Sequence, residues 1–435
     1  MEVSAGNTAW LLISTALVML MLPGLALFYG GLVRAKNVLS TIMHSFFGLA
    51  IVTVVWVVVG FSLAFDESIS GLGIVGGFDY IFFQGVGMEP NPDYAEGIPF
   101  VLFATFQMMF AAITPALISG AFAERKRFGA FVLFAIAWSI LVYSPMAHMV
   151  WGPGGLLGSQ LGALDFAGGT VVHIASGISA LVVALVMGRR VAGHHVEPHD
   201  VPMTVLGAGL LWFGWFGFNA GSSLAADGLA AQALMVTTVA AAAGMLTWVG
   251  ASYMKGRKIS VVGAAAGAVA GLVAITPAAG FVTVGGALIL GLAAGAVCFA
   301  ATLLRDRLAI DDSLDVFAVH GVGGILGAVG VGVFAVAAIG GVSGLVEGNV
   351  EQLVIQVIAV AFTVVFASVM TFIIIKVIDV AIGLRVPEEE EEAGLDVAVH
   401  GETAYVPWSG QASGITTSAV AAESSNVPST EAEPA

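Results

Sequence analysis

Two related stretches of the chain decide its fold: Asp165-Phe-Ala-Gly-Gly-Thr-Val-Val-His173-Ile-Ala-Ser-Gly177 and Asp315-Val-Phe-Ala-Val-His320-Gly-Val-Gly-Gly324. Each has an upstream acid, then Val-His, then a glycine four residues after the histidine, in almost purely apolar surroundings. An ionisable group is costly inside a membrane, so it usually faces a pore, a cavity or a partner. A matched pair, one in each half, predicts a site where two repeats meet. The alternative is that each histidine bonds a helix carbonyl and merely packs.

The composition identifies the class of protein. The chain has 435 residues, of which 58% are hydrophobic and 10% charged, with a mean hydropathy of +0.99. These values exclude a soluble globular protein and predict a polytopic membrane protein with no nucleic-acid partner. Cys298 is the single cysteine, so neither a disulfide framework nor a cysteine-based metal site is available, and we expect no cofactor. The start of the chain lacks a basic signal-peptide region, so the first hydrophobic segment is predicted to be a retained helix.

The apolar segments predict about eleven transmembrane helices, because a helix needs about 20 apolar residues to cross a bilayer. They lie at 8–32, 38–64, 98–122, 128–150, 169–188, 203–222, 228–251, 260–278, 281–303, 314–338 and 351–383. The eighth and ninth are separated only by Thr276-Pro277-Ala-Ala-Gly280.

The charges predict the orientation. All fourteen Lys and Arg residues follow odd-numbered helices or lie at the end of the last helix, whereas the intervening loops carry acids alone. Under the positive-inside rule, the N-terminus is outside, the C-terminus is cytoplasmic and the number of helices is odd. The net charge of -15 is partly a property of the tail, since ten of the 29 acids follow Arg385.

The odd number of helices predicts two inverted halves. His173 falls in the fifth helix and His320 in the tenth, which gives two five-helix halves of opposite topology and one extra C-terminal helix. Inverted halves can bring both histidines to one axis. Two imidazoles there could share a hydrogen bond if at least one stays neutral.

Aromatic residues recur near one end of several helices. Trp212 and Trp215 fit membrane-interface anchors, although an aromatic face beside a hydroxyl such as that of Ser222 could also attract a small cation. The many glycines of these helices fit close helix packing.

Eight strings in this order resemble the ammonium transporter (Amt) family, over the chain from the first helix to Tyr405. They are Phe106-Gln-Met-Met-Phe110-Ala-Ala-Ile-Thr114, Gly120-Ala-Phe-Ala-Glu-Arg125, Ala147-His-Met-Val-Trp151-Gly, Leu164-Asp-Phe-Ala-Gly-Gly-Thr-Val-Val-His173, Gly214-Trp-Phe-Gly-Phe218-Asn-Ala-Gly-Ser222, Gly271-Leu-Val-Ala-Ile-Thr276-Pro277, Asp311-Asp-Ser-Leu-Asp315-Val-Phe-Ala-Val-His320-Gly and Gly383-Leu-Arg-Val-Pro387-Glu-Glu.

The resemblance implies a role for particular residues. Phe110, Trp151 and Ser222 match the family's external site that recruits ammonium. Phe110 and Phe218, with Phe106 beside them, match the rings that close the pore mouth. The pore-lining pair of the family corresponds to His173 and His320. The acid behind the recruitment site, structural or electrostatic in the family, corresponds to Asp165.

These residues predict a route that favours ammonium over potassium. A cation–π site contributes roughly 1–2 kcal/mol and only concentrates the ion. Beyond the phenyl gate a bare charge is expensive, and ammonium can lose its proton whereas potassium keeps its charge. We expect ammonium to be deprotonated near the gate and ammonia to pass the two histidines. The protein is therefore expected to be a transporter of the cell membrane and not an enzyme.

The chain divides into a transmembrane domain at 1–385, a cytoplasmic regulatory tail at 386–405 and a flexible extension at 406–435. Within the tail, Gly394-Leu-Asp396 and His400-Gly-Glu402 resemble the ordered tail of the family. That resemblance implies a homotrimer and a cytoplasmic PII-type regulatory protein.

Three other functions are compatible with parts of the sequence. An ammonium sensor with little flux would have the same fold, but the tail is short for an output domain. A haem protein could use His173 and His320 as ligands, although no second ligand set is evident. A Rhesus-type channel for neutral gas would gain little from Trp151, because an aromatic face attracts cations.

Overall fold

The chain folds into a bundle of long apolar helices. The computed structural model describes residues 2–193 and 196–405. In chain order, the helices are Ala5–Leu32 (α1), Ala35–Phe65 (α2), Phe100–Phe122 (α3), Phe128–Gln160 (α4, with a break at 152–155), Gly169–Met187 (α5), Val201–Ser223 (α6), Gly228–Met254 (α7), Val261–Ile275 (α8), Val284–Leu308 (α9), Phe317–Phe334 (α10) and Val350–Ile382 (α11).

The predicted all-α membrane fold is confirmed. Ten of these helices in the described ranges are long and apolar enough to span a membrane, and α8 is shorter, with 15 residues. The predicted stretch 260–278 was too long, because the chain leaves the helix after Ile275 and turns through Pro277. The carbonyl of Pro277 accepts a hydrogen bond from the Phe166 amide at 3.1 Å, which ties this turn to the start of α5. A count of eleven spans therefore depends on α8.

Several helices begin at a residue whose side chain accepts a hydrogen bond from the first turn. Asp200 caps α6 through the Met203 amide at 2.8 Å, and Asp227 caps α7 through the Ala230 amide at 2.9 Å. Such caps satisfy amides that have no partner inside the helix. Short polar side chains thus set these helix starts in otherwise apolar sequence.

Six turns of π-helix interrupt the regular helices. They are Trp56–Gly60, Ser139–Tyr143, Leu156–Gln160, Gly169–Ile174, Phe216–Ala220 and Phe317–Gly321. A π-turn inserts one residue and redirects the side chains that follow, and it often occurs at functional sites. Three of the six contain His173, Phe218 and His320.

The bundle has two chemically different ends. The basic end is defined here as the loops after α1, α3, α5, α7 and α9, and the acidic end as the loops after the even-numbered helices. At the basic end, Glu124 pairs with Arg34 at 2.9 Å and with Arg190 at 2.7 Å. Burial would raise the pKa of Glu124, but the two guanidinium groups outweigh it and hold this pKa below its ordinary value.

The tail is ordered and packs on the basic end of its own chain. It forms two short helices, Glu388–Ala393 (α12) and Leu395–His400 (α13). The carboxylate of Asp396 accepts hydrogen bonds from the amides of Leu39 at 3.0 Å and Ser40 at 2.8 Å, at the start of α2. The predicted extension at 406–435 lies outside the described residues.

Candidate functional site

The two histidine segments are built alike. The carboxylate of Asp165 accepts hydrogen bonds from the amides of Gly168 at 2.7 Å, Gly169 at 2.6 Å and Thr170 at 2.7 Å, and from the Thr170 hydroxyl. It therefore caps the start of α5.

The corresponding cap of α10 is Asp312 and not Asp315. The Asp312 carboxylate accepts the Phe317 amide at 2.7 Å, whereas Asp315 pairs with Arg305 at 2.7 Å. Sequence comparison had placed Asp315 opposite Asp165. The spacing indicates Asp312 instead, because Asp165 and Asp312 each lie eight residues before a histidine.

Each segment carries a glycine that lets it approach the other. A Cβ on Gly177 would lie 2.1 Å from the Gly321 amide nitrogen and 2.8 Å from the carbonyl carbon of His320. A Cβ on Gly324 would lie 3.0 Å from Ile174 and 3.1 Å from the Cβ of His173. The glycines four residues after the histidines therefore permit the contact between α5 and α10.

The histidines meet at this contact. Their Nδ1 atoms lie 3.2 Å apart, and the rings are stacked at 23° with centroids 5.3 Å apart. One Nδ1 must donate and the other accept, so at least one imidazole is neutral. Both rings are buried, and neither Nδ1 is bonded to a helix carbonyl, so simple packing of separate histidines does not describe the pair.

A column of aromatic rings continues from the histidine pair toward the acidic end. His173 stacks on Trp215 at 5.4 Å and on Phe218 at 5.9 Å between ring centroids. Phe218 contacts Phe110 at 4.3 Å, and Phe106 packs on Phe110 at 5.0 Å. These aromatic rings are all buried and lie between His173 and the acidic end.

Trp215 is part of this column and is not a membrane-interface anchor. Its side chain is only 2% exposed, and its Nε1 donates to Thr276 Oγ1 at 2.9 Å. The sequence is consistent with a membrane-interface anchor or a cation-attracting aromatic face at Trp215, and neither role includes contact with a histidine. Its position in the turn before the π-helix at Phe216–Ala220 determines the contact.

A cavity of about 200 Å³, the Trp151 cavity, lies beyond the rings. It brings together Phe110, Trp151 and Ser222, as the sequence predicted. The Trp151 Nε1 donates to the Asp165 carbonyl at 2.9 Å, so the acid that caps α5 also fixes the indole. Ser222 Oγ donates its hydrogen to the Phe218 carbonyl at 2.8 Å, which leaves its lone pairs available to accept.

Two further cavities lie on the other side of the rings. A narrow one of about 10 Å³, the histidine cavity, is lined by both histidines and by apolar residues such as Leu25 and Ile113. A wider one of about 490 Å³, the Arg305 cavity, lies at the basic end, and its mostly apolar lining includes the charged residues Glu197, Arg305 and Asp315. His320 borders both cavities. The three cavities thus form a series with its narrowest and most apolar part at the histidines.

The side chains that line the site include aromatic, hydroxyl-bearing and imidazole groups. Within residues 2–193 and 196–405, no three His, Cys, Asp or Glu side chains are grouped to hold a metal ion. Aromatic faces, one hydroxyl acceptor and a hydrogen-bonded imidazole pair are what the lining provides. These features, in a helical membrane fold, define a transporter or channel for a small polar solute.

Comparison with known proteins identifies the family. The model of the Ammonium Transporter Family matches residues 9–405, and the chain belongs to that family. It is 51% identical to an ammonium transporter of Bacillus subtilis over 92% of this chain and 98% of that one. It is 48% identical to ammonium transporter Amt1 of Archaeoglobus fulgidus, over 92% and 100% of the two chains. This is a family of transporters and not of enzymes.

Solved structures agree with the fold. The crystal structure of Saccharomyces cerevisiae Mep2 superposes with a TM-score of 0.84 at 36% identity and covers 89% of each chain. A structure described as a sensor Amt protein gives a TM-score of 0.84 at 30% identity, over 91% of this chain and 98% of that one. The resemblance inferred from the eight strings is therefore confirmed.

Proposed function

We propose that this protein captures ammonium in the Trp151 cavity, that ammonium passes its proton to the imidazole of His173 at the phenyl rings, and that ammonia then moves past His173 and His320. The observation that carries the proposal is the series of three cavities, in which an aromatic gate and a paired imidazole separate two wider spaces. Ammonium transport itself follows from membership of the family.

Capture in the Trp151 cavity would rest on weak but additive contacts. Phe110 and Trp151 present ring faces at 84° to each other with centroids 6.2 Å apart. Each cation–π contact contributes about 0.5–2 kcal/mol, and the Ser222 oxygen can accept one N–H. These contacts concentrate ammonium without distinguishing it strongly from other small cations.

Selection would take place at the gate. The histidine cavity is apolar and nearly filled, so a permeating ion would lose its hydration with little to replace it. Ammonium avoids this cost by leaving a proton behind, whereas potassium keeps its charge. The apolar lining, and not a fitted cage, would then exclude potassium.

The histidine pair would provide a polar surface and a proton route inside this apolar passage. The 3.2 Å contact between Nδ1 atoms allows one proton to shift from one ring to the other. The Nε2 of His173 is buried and has no hydrogen-bond partner among residues 2–193 and 196–405, so it is available to a passing ammonia.

The remaining features of the proposal concern placement and regulation. The acidic end would face outward and the basic end the cytoplasm of a cell-membrane protein with an external N-terminus, following the positive-inside rule. Residues 1–385 would form the transport domain of a homotrimer. The ordered tail at 386–405, fixed to α2 through Asp396, would carry the contact with a PII-type regulator.

The sensor function is a second candidate, favoured by the similarity to a structure described as a sensor Amt protein. A sensor would bind ammonium in the Trp151 cavity but conduct little of it. Flux measurements distinguish the two functions directly.

The test is simultaneous measurement of current and ammonium uptake in proteoliposomes that contain the full chain. We expect saturable uptake in the parent, loss of most uptake when His173 and His320 are both replaced by Ala, and no potassium current. His44→Leu is the matched control, because His44 is buried on α2 and lines none of the three cavities. Binding without flux would favour the sensor, and undiminished selective uptake by the double variant would refute the histidine route.

A further inference from the structure

The Trp151 cavity contains one charged residue that sequence motifs do not include. Of the ten residues that line the cavity, only Asp93 carries a formal charge; the others are aromatic, aliphatic or neutral polar. The loop that holds Asp93 lies between α2 and α3 and belongs to none of the strings shared with the family.

The backbone holds Asp93 in place. Its amide donates to the side-chain oxygen of Asn91 at 3.1 Å, and the amides of Tyr94 and Ala95 donate to the Asn91 carbonyl at 3.2 and 3.1 Å. The hydroxyl of Tyr94 donates to the Phe65 carbonyl. Asp93 is therefore presented by a hydrogen-bonded turn that is anchored to the bundle.

Its carboxylate is not neutralised by the protein. Asp93 is exposed and forms no ion pair within the described ranges. No lysine or arginine occurs in any loop of the acidic end. By contrast, the other acid near the cavity, Asp165, is buried and has its carboxylate occupied by amides and the Thr170 hydroxyl.

We propose that Asp93 is a positioning residue for transport, which raises the local concentration of ammonium at the Trp151 cavity by charge attraction. The inference rests on the proposed function and adds a residue to its capture step. Neutral aromatic faces act only at contact, whereas a carboxylate at the cavity mouth acts over a Debye length, about 10 Å at 0.1 M salt and about 30 Å at 0.01 M.

The charge acts on capture and not on selection. A carboxylate attracts ammonium, methylammonium and potassium alike, so it raises occupancy of the cavity without affecting the step at the gate. Removing it should therefore change KM and leave the maximal rate unaltered.

The experiment compares Asp93→Asn with Glu89→Gln in proteoliposomes, by uptake at low and high ionic strength. Glu89 is exposed in the same loop and does not line the cavity, so its variant removes one charge at a different place. We expect Asp93→Asn to raise KM about fivefold in about 0.01 M salt, the Boltzmann factor for a unit charge about 4 Å away in water. This increase should shrink to about twofold in about 0.3 M salt.

Asp93→Glu keeps the charge and should restore a KM close to that of the parent. Glu89→Gln should change KM by less than about twofold even at low salt, because Glu89 does not line the cavity and the Coulomb attraction falls with distance. Equal effects of the two neutral variants, an increase independent of salt, or a lower maximal rate with unchanged KM would each overturn the role of Asp93. Absence of flux in the parent would instead refute the proposed function.

Discussion

The histidine segments of α5 and α10 follow the same plan but differ in their surroundings. The segment with His173 is enclosed by the rings of Trp215 and Phe218, and its capping acid Asp165 is fully engaged. The segment with His320 borders the wide Arg305 cavity. The repeated segments thus bring the two imidazoles together. The neighbouring residues close the side of His173 with aromatic rings and leave a wide cavity on the side of His320.

Under the proposed function, this difference predicts that the barrier to transport lies on the side of His173. The repeated elements, namely the cap, the π-turn, the histidine and the glycine, bring two backbones close together. The elements that are not repeated differ in size and polarity: aromatic rings pack on His173, whereas His320 borders a wider cavity that includes Arg305 and Asp315. The first three predictions below test the glycine, the capping acid and the histidine in both segments.

The largest effect is expected from the glycines. Gly177→Ala would place a Cβ 2.1 Å from the backbone nitrogen of Gly321, which can move only with its helix. Gly324→Ala meets the side chain of Ile174 at 3.0 Å and the Gly169 carbonyl oxygen and His173 Cβ at 3.1 Å, so these neighbours need to move by only a few tenths of an ångström. We expect about 3 kcal/mol or more of destabilisation, and at least a tenfold loss of folded protein, for Gly177→Ala, against about 1 kcal/mol for Gly324→Ala. Yield and Tm in detergent measure both, and equal losses would contradict the asymmetry.

The next largest difference in stability is expected between variants of the two capping acids, Asp165 and Asp312. Asp165→Ala would leave several amides and the Thr170 hydroxyl without their acceptor, at a cost of about 3 kcal/mol or more. Asp312→Ala should cost less, about 1–2 kcal/mol, because the Asp312 Oδ1 already lacks a partner among the described residues. Thermal unfolding in detergent distinguishes them. Asp165→Asn, which retains one acceptor oxygen, should fall between Asp165→Ala and the parent.

The two variants with a single histidine replaced should differ in their ammonium uptake rates. His173→Ala removes a ring from the aromatic column as well as the partner of His320, so it should lower the uptake rate more than tenfold. His320→Ala removes only the side of the pair that faces the wide cavity, and we expect a loss of several-fold. The measurement is initial uptake per folded protein. A larger effect of His320→Ala would place the barrier on the open side.

The smallest expected effect concerns Lys126, a buried residue in the loop between α3 and α4. The Nζ of Lys126 has no hydrogen-bond partner in the described structure and lies 3.8 Å from the ring centroid of Phe122. Burial lowers the pKa of Lys126 well below its ordinary value. The unfolded chain then binds more protons than the folded chain, so this lysine destabilises the fold increasingly as the pH falls below about 10.4.

Lys126→Met should therefore raise Tm by a few degrees, more at pH 7 than at pH 9. Lys376→Met is the control, because Lys376 is about half exposed and only loosely paired with Asp379 at 4.0 Å. A lower Tm for Lys126→Met would show that the contacts of the ammonium group with Phe122 and Phe134 outweigh the cost of burial.

Much of the site was predictable because its residues lie in short, distinctive strings. Phe110, Trp151 and Ser222 do share a cavity, and His173 does meet His320. The end of α8 was misplaced because hydropathy continues through Pro277, although the helix does not. The capping role of Asp312 was missed because resemblance to the other string was judged by type of residue and not by spacing.

The sequence by itself determined the membrane class, most of the spans, the separation of basic from acidic loops and the place of one histidine in each half. These properties depend on composition and on the order of residues along the chain. Only the tertiary structure decided that the two imidazoles face each other through Nδ1, that Trp215 covers one of them, and that Asp93, without an ion pair among the described residues, lines the Trp151 cavity. Such contacts depend on the rotation and crossing of helices, which are set by π-turns and by glycine contacts between distant segments.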